Sequence, residues 1–149
     1  MKPTRTLAQT LASLAAADTA NLANVSANKI ALIGANFTPS LDRVLADLTL
    51  LSGNGLDPIA LTAGAQNEGT DPTTGEAVID LKEPAGGLRW ETSGGLAVEK
   101  QIHGYALINN AGTVLLGMQR VDPPISLTVD NQVHVAPELT FKLDLNMIT

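Results

Sequence analysis

The sequence predicts a mainly β domain: an antiparallel β-sandwich or open barrel with an N-terminal helical or extended arm and one short helix. Short apolar segments that alternate with polar residues recur through the second half of the chain, and glycine- and proline-containing turns separate them. Too few helical segments lie between these strands for a doubly wound parallel sheet. The predicted sheet is therefore antiparallel, with one face buried and one in water.

The N-terminal 28 residues are rich in alanine and small polar residues, and we predict an arm at 1–28 that precedes a β-rich structural domain at 29–149. Leu7, Leu11 and Leu14 fall on one face of a helix, in a stripe too narrow to bury much by itself. We expect these three leucines to contact a partner subunit. A loosely ordered tail is the alternative. A signal peptide ending near 14–17 is a second alternative, although polar residues interrupt its apolar run.

The segment 29–65 is predicted to contain a strand, a short helix and a second strand. The continuous apolar run Lys29–Ile33 predicts the first strand. The Thr-Pro-Ser sequence at 38–40 supplies a cap and a first turn for a helix, and leucines and a valine keep helical spacing over 41–48. A glycine-rich turn ends the helix, and a strand at 59–62 follows.

The C-terminal part of the chain carries the clearest strand pattern. Apolar pairs at period two predict strands at 79–81, 88–90 and 96–98. Runs at 102–108 and 113–119 flank Asn-Asn-Ala-Gly and predict a hairpin with a four-residue loop. Alternation also predicts strands at 125–129 and 139–147. The chain has four aromatic residues besides histidine, and we assign three of them to the core rather than to a site: Trp90, Tyr105 and Phe141.

Composition argues against several function classes. With 15 acidic and 9 basic residues the net charge is −6, and the basic residues are scattered, so we expect no nucleic-acid partner. Cysteine is absent, so the fold depends on neither disulfides nor a cysteine-ligated zinc. No stretch approaches the ~20 apolar residues of a membrane span. We expect no membrane partner and no cofactor.

Candidate catalytic residues are few. His103 and His134 are the two histidines, and each lies in a predicted strand. His134 alternates with Val133 and Val135, which predicts an imidazole that faces solvent. Neither histidine has a partner at metal-ligand spacing, so a polar surface role is expected for both.

Other motifs that carry chemistry are weak or absent. Asp71 and Glu76 in an acidic loop could suggest calcium, but the loop lacks the regular oxygen-bearing positions of an EF-hand, and we expect a solvated loop with no metal. The Gly-Gly pairs do not follow a strand-to-helix junction with a lysine, and neither a nucleophile elbow nor a zinc-protease motif occurs. We therefore expect a protein that is not an enzyme.

Two stretches resemble small bacteriophage virion structural proteins. In the first, KIALIGANFTPSLDRVLADL at 29–48, a strand ends in an aromatic-Thr-Pro turn and a Leu-Ala-Asp helix follows. The second, IHGYALINNAGTVLLG at 102–117, is similar to the later hairpin of those proteins. A polar strand near the Pro-Pro pair at 123–124 and an alternating strand at 139–145 then follow. The resemblance covers about 29–145, although 52–58 replaces an aromatic-rich Gly-Tyr segment that is usual there.

The resemblance implies a virion component. We expect a capsid decoration (cement) protein, a homotrimer on the capsid surface that binds the major capsid protein or other virion subunits across capsomer junctions. An interface of ~1,600 Å² is ample for such a role. One alternative is a tail, baseplate or fibre component, either an adaptor or a host-attachment protein. A small enzyme or secreted ligand-binding domain is another, and it would need His103 or His134 in a pocket beside two carboxylates.

Overall fold

The computed structural model describes residues 2–3, 28–40, 42–61, 68–70, 77–80, 87–96, 98–137 and 140–143. Within these residues the chain is mainly β, and the helix is a 3-10 helix at Leu45–Asp47. The strands are β1 (Lys2–Pro3), β2 (Lys29–Ile33), β3 (Ile59–Ala60), β4 (Glu68–Thr70), β5 (Ala77–Asp80), β6 (Arg89–Glu91), β7 (Lys100–Ile108), β8 (Leu115–Leu127), β9 (Val133–Val135) and β10 (Thr140–Leu143).

Three sheets are formed by these strands, and every pairing is antiparallel. The largest has the order β1-β8-β7-β2-β3, the second has the order β10-β5-β4, and β6 pairs with β9 in a two-stranded ribbon. The predicted class, a mainly β antiparallel fold with one short helix, is confirmed. Since β1 pairs with β8, the start of the chain belongs to the largest sheet.

The centre of the largest sheet is the hairpin of β7 and β8, which confirms the predicted hairpin. Its loop is closed by Asn109, whose Oδ1 accepts hydrogen bonds from the N–H groups of Thr113 at 2.7 Å and Val114 at 3.0 Å. Gly112 takes a φ of +70°, a conformation that glycine adopts without steric cost. The local Asn-to-backbone bonds explain why this turn is readable from sequence.

Strand β8 is longer than predicted, because the runs 113–119 and 125–129 are joined into one strand. Ile102 lies opposite Ile125 and Gly104 lies opposite Arg120, so residues 121–124 bulge from the ladder opposite His103. Two prolines occupy this bulge, where no ladder N–H is required, and the Asp122–Pro123 peptide bond is cis.

Strand β2 is buried on both faces, as its continuous apolar sequence predicts. Ile30 and Leu32 belong to the first core cluster, together with Leu51, Leu56, Leu61, Leu88, Trp90, Ile102, Tyr105, Leu107, Leu127 and Ala136. On the opposite face, Ala31 and Ile33 belong to the second core cluster, together with Phe37, Ala106, Ile108, Leu115 and Met118. The largest sheet is therefore covered on both sides around β2.

The predicted helix over 41–48 is wrong in extent, because only Leu45–Asp47 is helical. Val44 is extended, and its N–H donates to the Asp47 carboxylate at 3.0 Å. After the turn the chain pairs with the end of β2, where Ile33 bridges to Leu50. The apolar spacing serves packing instead, since Leu45, Leu48 and Leu50 pack against the second core cluster.

Three other strand predictions are corrected or limited. Of the strand predicted at 96–98, Leu96 and Val98 belong to no strand: Leu96 packs against the first core cluster and Val98 is exposed, while residue 97 lies outside the described residues. Of the strand predicted at 59–62, Ile59–Ala60 form β3 and Leu61 lies outside it, while residue 62 is not among the described residues. Strand β10 lies within the predicted segment 139–147, of which residues 139 and 144–147 lie outside the described part.

Candidate docking surface

The ribbon of β6 and β9 separates a buried inner face from an exposed outer face. Trp90 lies opposite His134, with Arg89 opposite Val135 and Glu91 opposite Val133. Because side chains alternate along a strand, the first pair shares one face and the other two pairs share the opposite face. Burial shows which face is inward: Trp90 is 2% exposed and His134 is 8% exposed.

The prediction that His134 faces solvent is wrong. Its neighbours on the strand are exposed instead, Val133 at 42% and Val135 at 56%. The reason is a hydrogen-bond partner in the core. The Tyr105 hydroxyl lies 2.8 Å from His134 Nε2, so this ring nitrogen is hydrogen-bonded although it is buried. An inward valine in that position would leave the buried hydroxyl without this partner.

Three stacked rings hold the inner face of the ribbon. The His134 ring lies 6.0 Å from both the Trp90 and the Tyr105 rings, and the latter two are 6.4 Å apart. The indole Nε1–H of Trp90 donates to the Asp57 carbonyl at 2.9 Å, so its polar atom is also satisfied. The core assignments of Trp90 and Tyr105 are confirmed, whereas the Phe141 side chain lies outside the described part.

Burial also sets the protonation of the two polar rings. It raises the pKa of Tyr105 to about 12 and lowers the pKa of His134. Both shifts favour the uncharged forms, because desolvation penalises an ion. A neutral imidazole can accept the Tyr105 O–H at Nε2, which suits the 2.8 Å separation. This arrangement is a structural contact within the core.

The far end of the ribbon is closed by a second set of polar contacts. The Thr92 hydroxyl donates to the Val129 carbonyl at 2.6 Å and accepts from the Gln132 N–H at 2.9 Å. The Asp130 carboxylate accepts the N–H groups of Gly95 at 3.1 Å and Leu96 at 2.9 Å. These bonds fix the turn from which β9 emerges, and so fix which of its side chains point outward.

The edge of β6 is held by the loop at 52–57. Asn54 Nδ2 donates to the carbonyls of Ser93 at 3.1 Å and Gly94 at 3.3 Å, and the Ser93 N–H donates to the Asn54 carbonyl at 2.9 Å. Gly55 has a φ of +80°, and a Cβ there would collide with the Glu91 carbonyl oxygen. The loop can approach this strand because position 55 is glycine.

The outer face of the ribbon is half apolar and locally neutral. The Arg89 guanidinium and the Glu91 carboxylate form an ion pair at 3.1 Å, with side chains 52% and 46% exposed. The two valines lie beside them on β9. We call this outer surface the valine face, and it consists of Arg89, Glu91, Val133 and Val135.

The other residues singled out from sequence do not converge on a site in the described part of the chain. Leu7, Leu11 and Leu14, and the acidic loop with Asp71 and Glu76, lie outside the described residues. His103 is half-buried opposite the β8 bulge.

The described residues contain no group of three or more His, Cys, Asp or Glu side chains placed to hold a metal ion. Nor does any helix in the described ranges have the length and hydropathy of a membrane span. Comparisons with known proteins found no matching family model, curated protein or solved structure.

Proposed function

We propose that this chain is a non-enzymatic structural protein of a virion, a capsid decoration protein that docks on the outer shell and stabilises the particle. The observation that carries the docking role is the inverted order of β9. Val133 and Val135 are exposed, while His134 between them is buried. Two β-branched apolar side chains on the same face of a firmly held strand offer an apolar surface that a partner can cover.

The virion class rests on the sequence resemblance at 29–48 and 102–117. In this role, each bound copy adds contact area between neighbouring subunits of the assembled shell. Because the protein binds the assembled state and not the dispersed subunits, mass action shifts the equilibrium towards the intact particle. The arm leucines Leu7, Leu11 and Leu14 supply a second contact with the partner in this proposal.

Particle composition and stability test the proposal. In particles made from the genome that encodes this chain, we expect its copy number to approach that of the major capsid subunit. Particles lacking it should release their contents at a lower temperature. A low copy number with unchanged heat resistance and lost host attachment would contradict decoration and support the tail or fibre alternative.

Surface variants test whether the valine face does the docking. Val133→Ser and Val135→Ser should each weaken binding to particles that lack the protein by about three-fold, since burying the exposed half of one valine contributes about 0.7 kcal/mol. Val44→Ser is the matched control, because Val44 is 55% exposed and lies outside the ribbon. Full occupancy by the Val133 and Val135 variants would show that another surface docks.

A further inference from the structure

We infer that the valine face pairs with the valine face of a second copy of this chain, in an antiparallel two-fold arrangement. This inference rests on the proposed function and names what covers the valine face on the shell: the valine face of a neighbouring copy, so that pairing between bound copies raises their occupancy while other surfaces contact the capsid subunits. The observations that carry it are the positions of two charges and two valines on the outer face of one ribbon. Arg89 and Val135 form one cross-strand row, and Glu91 and Val133 form the next.

The two-fold axis lies in the plane between the two facing surfaces, runs perpendicular to the strands and passes at the level of Trp90. It exchanges the two cross-strand rows. Arg89 of each copy then lies over Glu91 of the other, and Val133 of each lies over Val135 of the other. Face-to-face sheets pack about 10 Å apart with strands nearly aligned, a spacing that long charged side chains can bridge. The surface is therefore complementary to itself in both charge and polarity.

Other orientations lose this match. A two-fold axis parallel to the strands places β6 of each copy over β9 of the other. Each charged side chain then lies over a valine, which desolvates the charges without pairing them. A cyclic trimer joins two different surfaces of each copy, so it makes no use of self-complementarity. The charge positions thus favour a two-fold pair over the three-fold association expected from the sequence.

The ion pair between Arg89 and Glu91 leaves each side chain able to form a second ion pair. The Arg89 and Glu91 side chains are about half exposed while in contact at 3.1 Å. A guanidinium has five N–H donors and a carboxylate has two oxygens, so each can serve one partner within the chain and one across the interface. The result is a ring of four alternating charges. Because the face is locally neutral, it avoids the repulsion that a chain of net charge −6 otherwise imposes on its copies.

Charge reversal tests the arrangement directly by sedimentation of the full chain. Wild type should form a reversible, concentration-dependent dimer. Arg89→Glu places Glu over Glu and Glu91→Arg places Arg over Arg, so each variant alone should be monomeric. Mixed in equal amounts the two variants should form a heterodimer, and the double variant that exchanges both charges should dimerise again. Recovery on mixing shows that each single variant is folded.

The controls use the same chain. Glu99→Arg makes the same charge change as Glu91→Arg at an exposed position and should leave the dimer intact. Fluorescence from the single tryptophan, Trp90, which lies directly beneath the face, reports on folding of each variant. A monomeric wild type, a trimer, or a dimer indifferent to both charge reversals would overturn the inference. The proposed function is tested separately, by occupancy on particles.

Discussion

The Tyr105 hydroxyl lies 2.8 Å from Nε2 of His134, and both side chains are buried. Tyr105 belongs to β7 in the largest sheet and His134 belongs to β9 in the ribbon. Their contact therefore joins two separate sheets through one polar pair. It also determines that the valines beside His134 face outward, so the docking proposal depends on the integrity of this pair.

Stability should fall as the solution becomes mildly acidic. Since burial lowers the pKa of His134 below 6.5, the unfolded chain binds a proton at pH values where the folded chain does not. Unfolding therefore becomes more favourable as the pH falls from about 6.5 towards the folded pKa, and the effect is complete below it. Urea denaturation midpoints near neutral pH and near pH 5 measure the change.

Two histidine variants separate this effect from the general response to acid. His134→Gln removes the titrating group from the core and should flatten the dependence on pH, whatever its own stability. His103→Gln removes the half-buried histidine of β7 and should retain the dependence. An equal slope in wild type and His134→Gln would show that another group is responsible.

The single tyrosine should ionise late in the folded protein. Burial raises the pKa of Tyr105 from 10.0 to about 12. In urea the same side chain should titrate near 10.0, its value without burial. Because the unfolded chain releases this proton first, folding stability should decrease as the pH rises between those two values. Ultraviolet absorbance of tyrosinate measures both titrations, and a folded-state midpoint near 10 would contradict the buried hydroxyl.

Removing both partners of the core pair should cost less than the sum of the two single removals. Tyr105→Phe leaves His134 Nε2 buried without the hydroxyl, which should destabilise the fold by about 1–3 kcal/mol. Combined with His134→Leu, the loss should be smaller than the sum of the two single losses, since no orphaned polar atom remains. Urea denaturation of the four proteins measures this coupling, and strictly additive losses would show that the two groups do not interact.

The elements that follow from sequence are those fixed by local chemistry. The largely apolar run Lys29–Ile33 is favoured only where both faces of its strand are covered, and it forms the buried β2. The Asn109 loop closes through its own side chain, so its hairpin needs no distant partner to be recognised. Trp90 and Tyr105 are large and amphipathic, and with few other aromatic residues their place in the core follows.

The orientation of β9 could not be read in the same way. Val133 and Val135 alternate with His134, and hydrophobicity alone turns the valines inward. The structure reverses this because Tyr105, 29 residues away, presents a hydroxyl to the imidazole. A short three-residue strand carries too little apolar area to outweigh that contact. The signal that could have revealed it is Ala136, a small apolar residue in phase with the histidine and buried with it.

The glycine at position 55 should be the least replaceable residue of the loop that supports the ribbon. Gly55→Ala adds a Cβ against the Glu91 carbonyl oxygen, at a φ of +80° that side chains disfavour, so we expect a loss of at least about 2 kcal/mol. Gly53→Ala is the matched control: its φ is +72°, but nothing lies within 4 Å of the added carbon, so only the backbone cost of about 1 kcal/mol applies. Denaturation midpoints compare the two. Because the Glu91 carbonyl must move to admit the methyl group, Gly55→Ala should also displace Glu91 on the valine face and weaken self-association, whereas Gly53→Ala should leave it intact. Equal losses of stability in the two variants would mean that the loop does not press on β6 as closely as its position indicates.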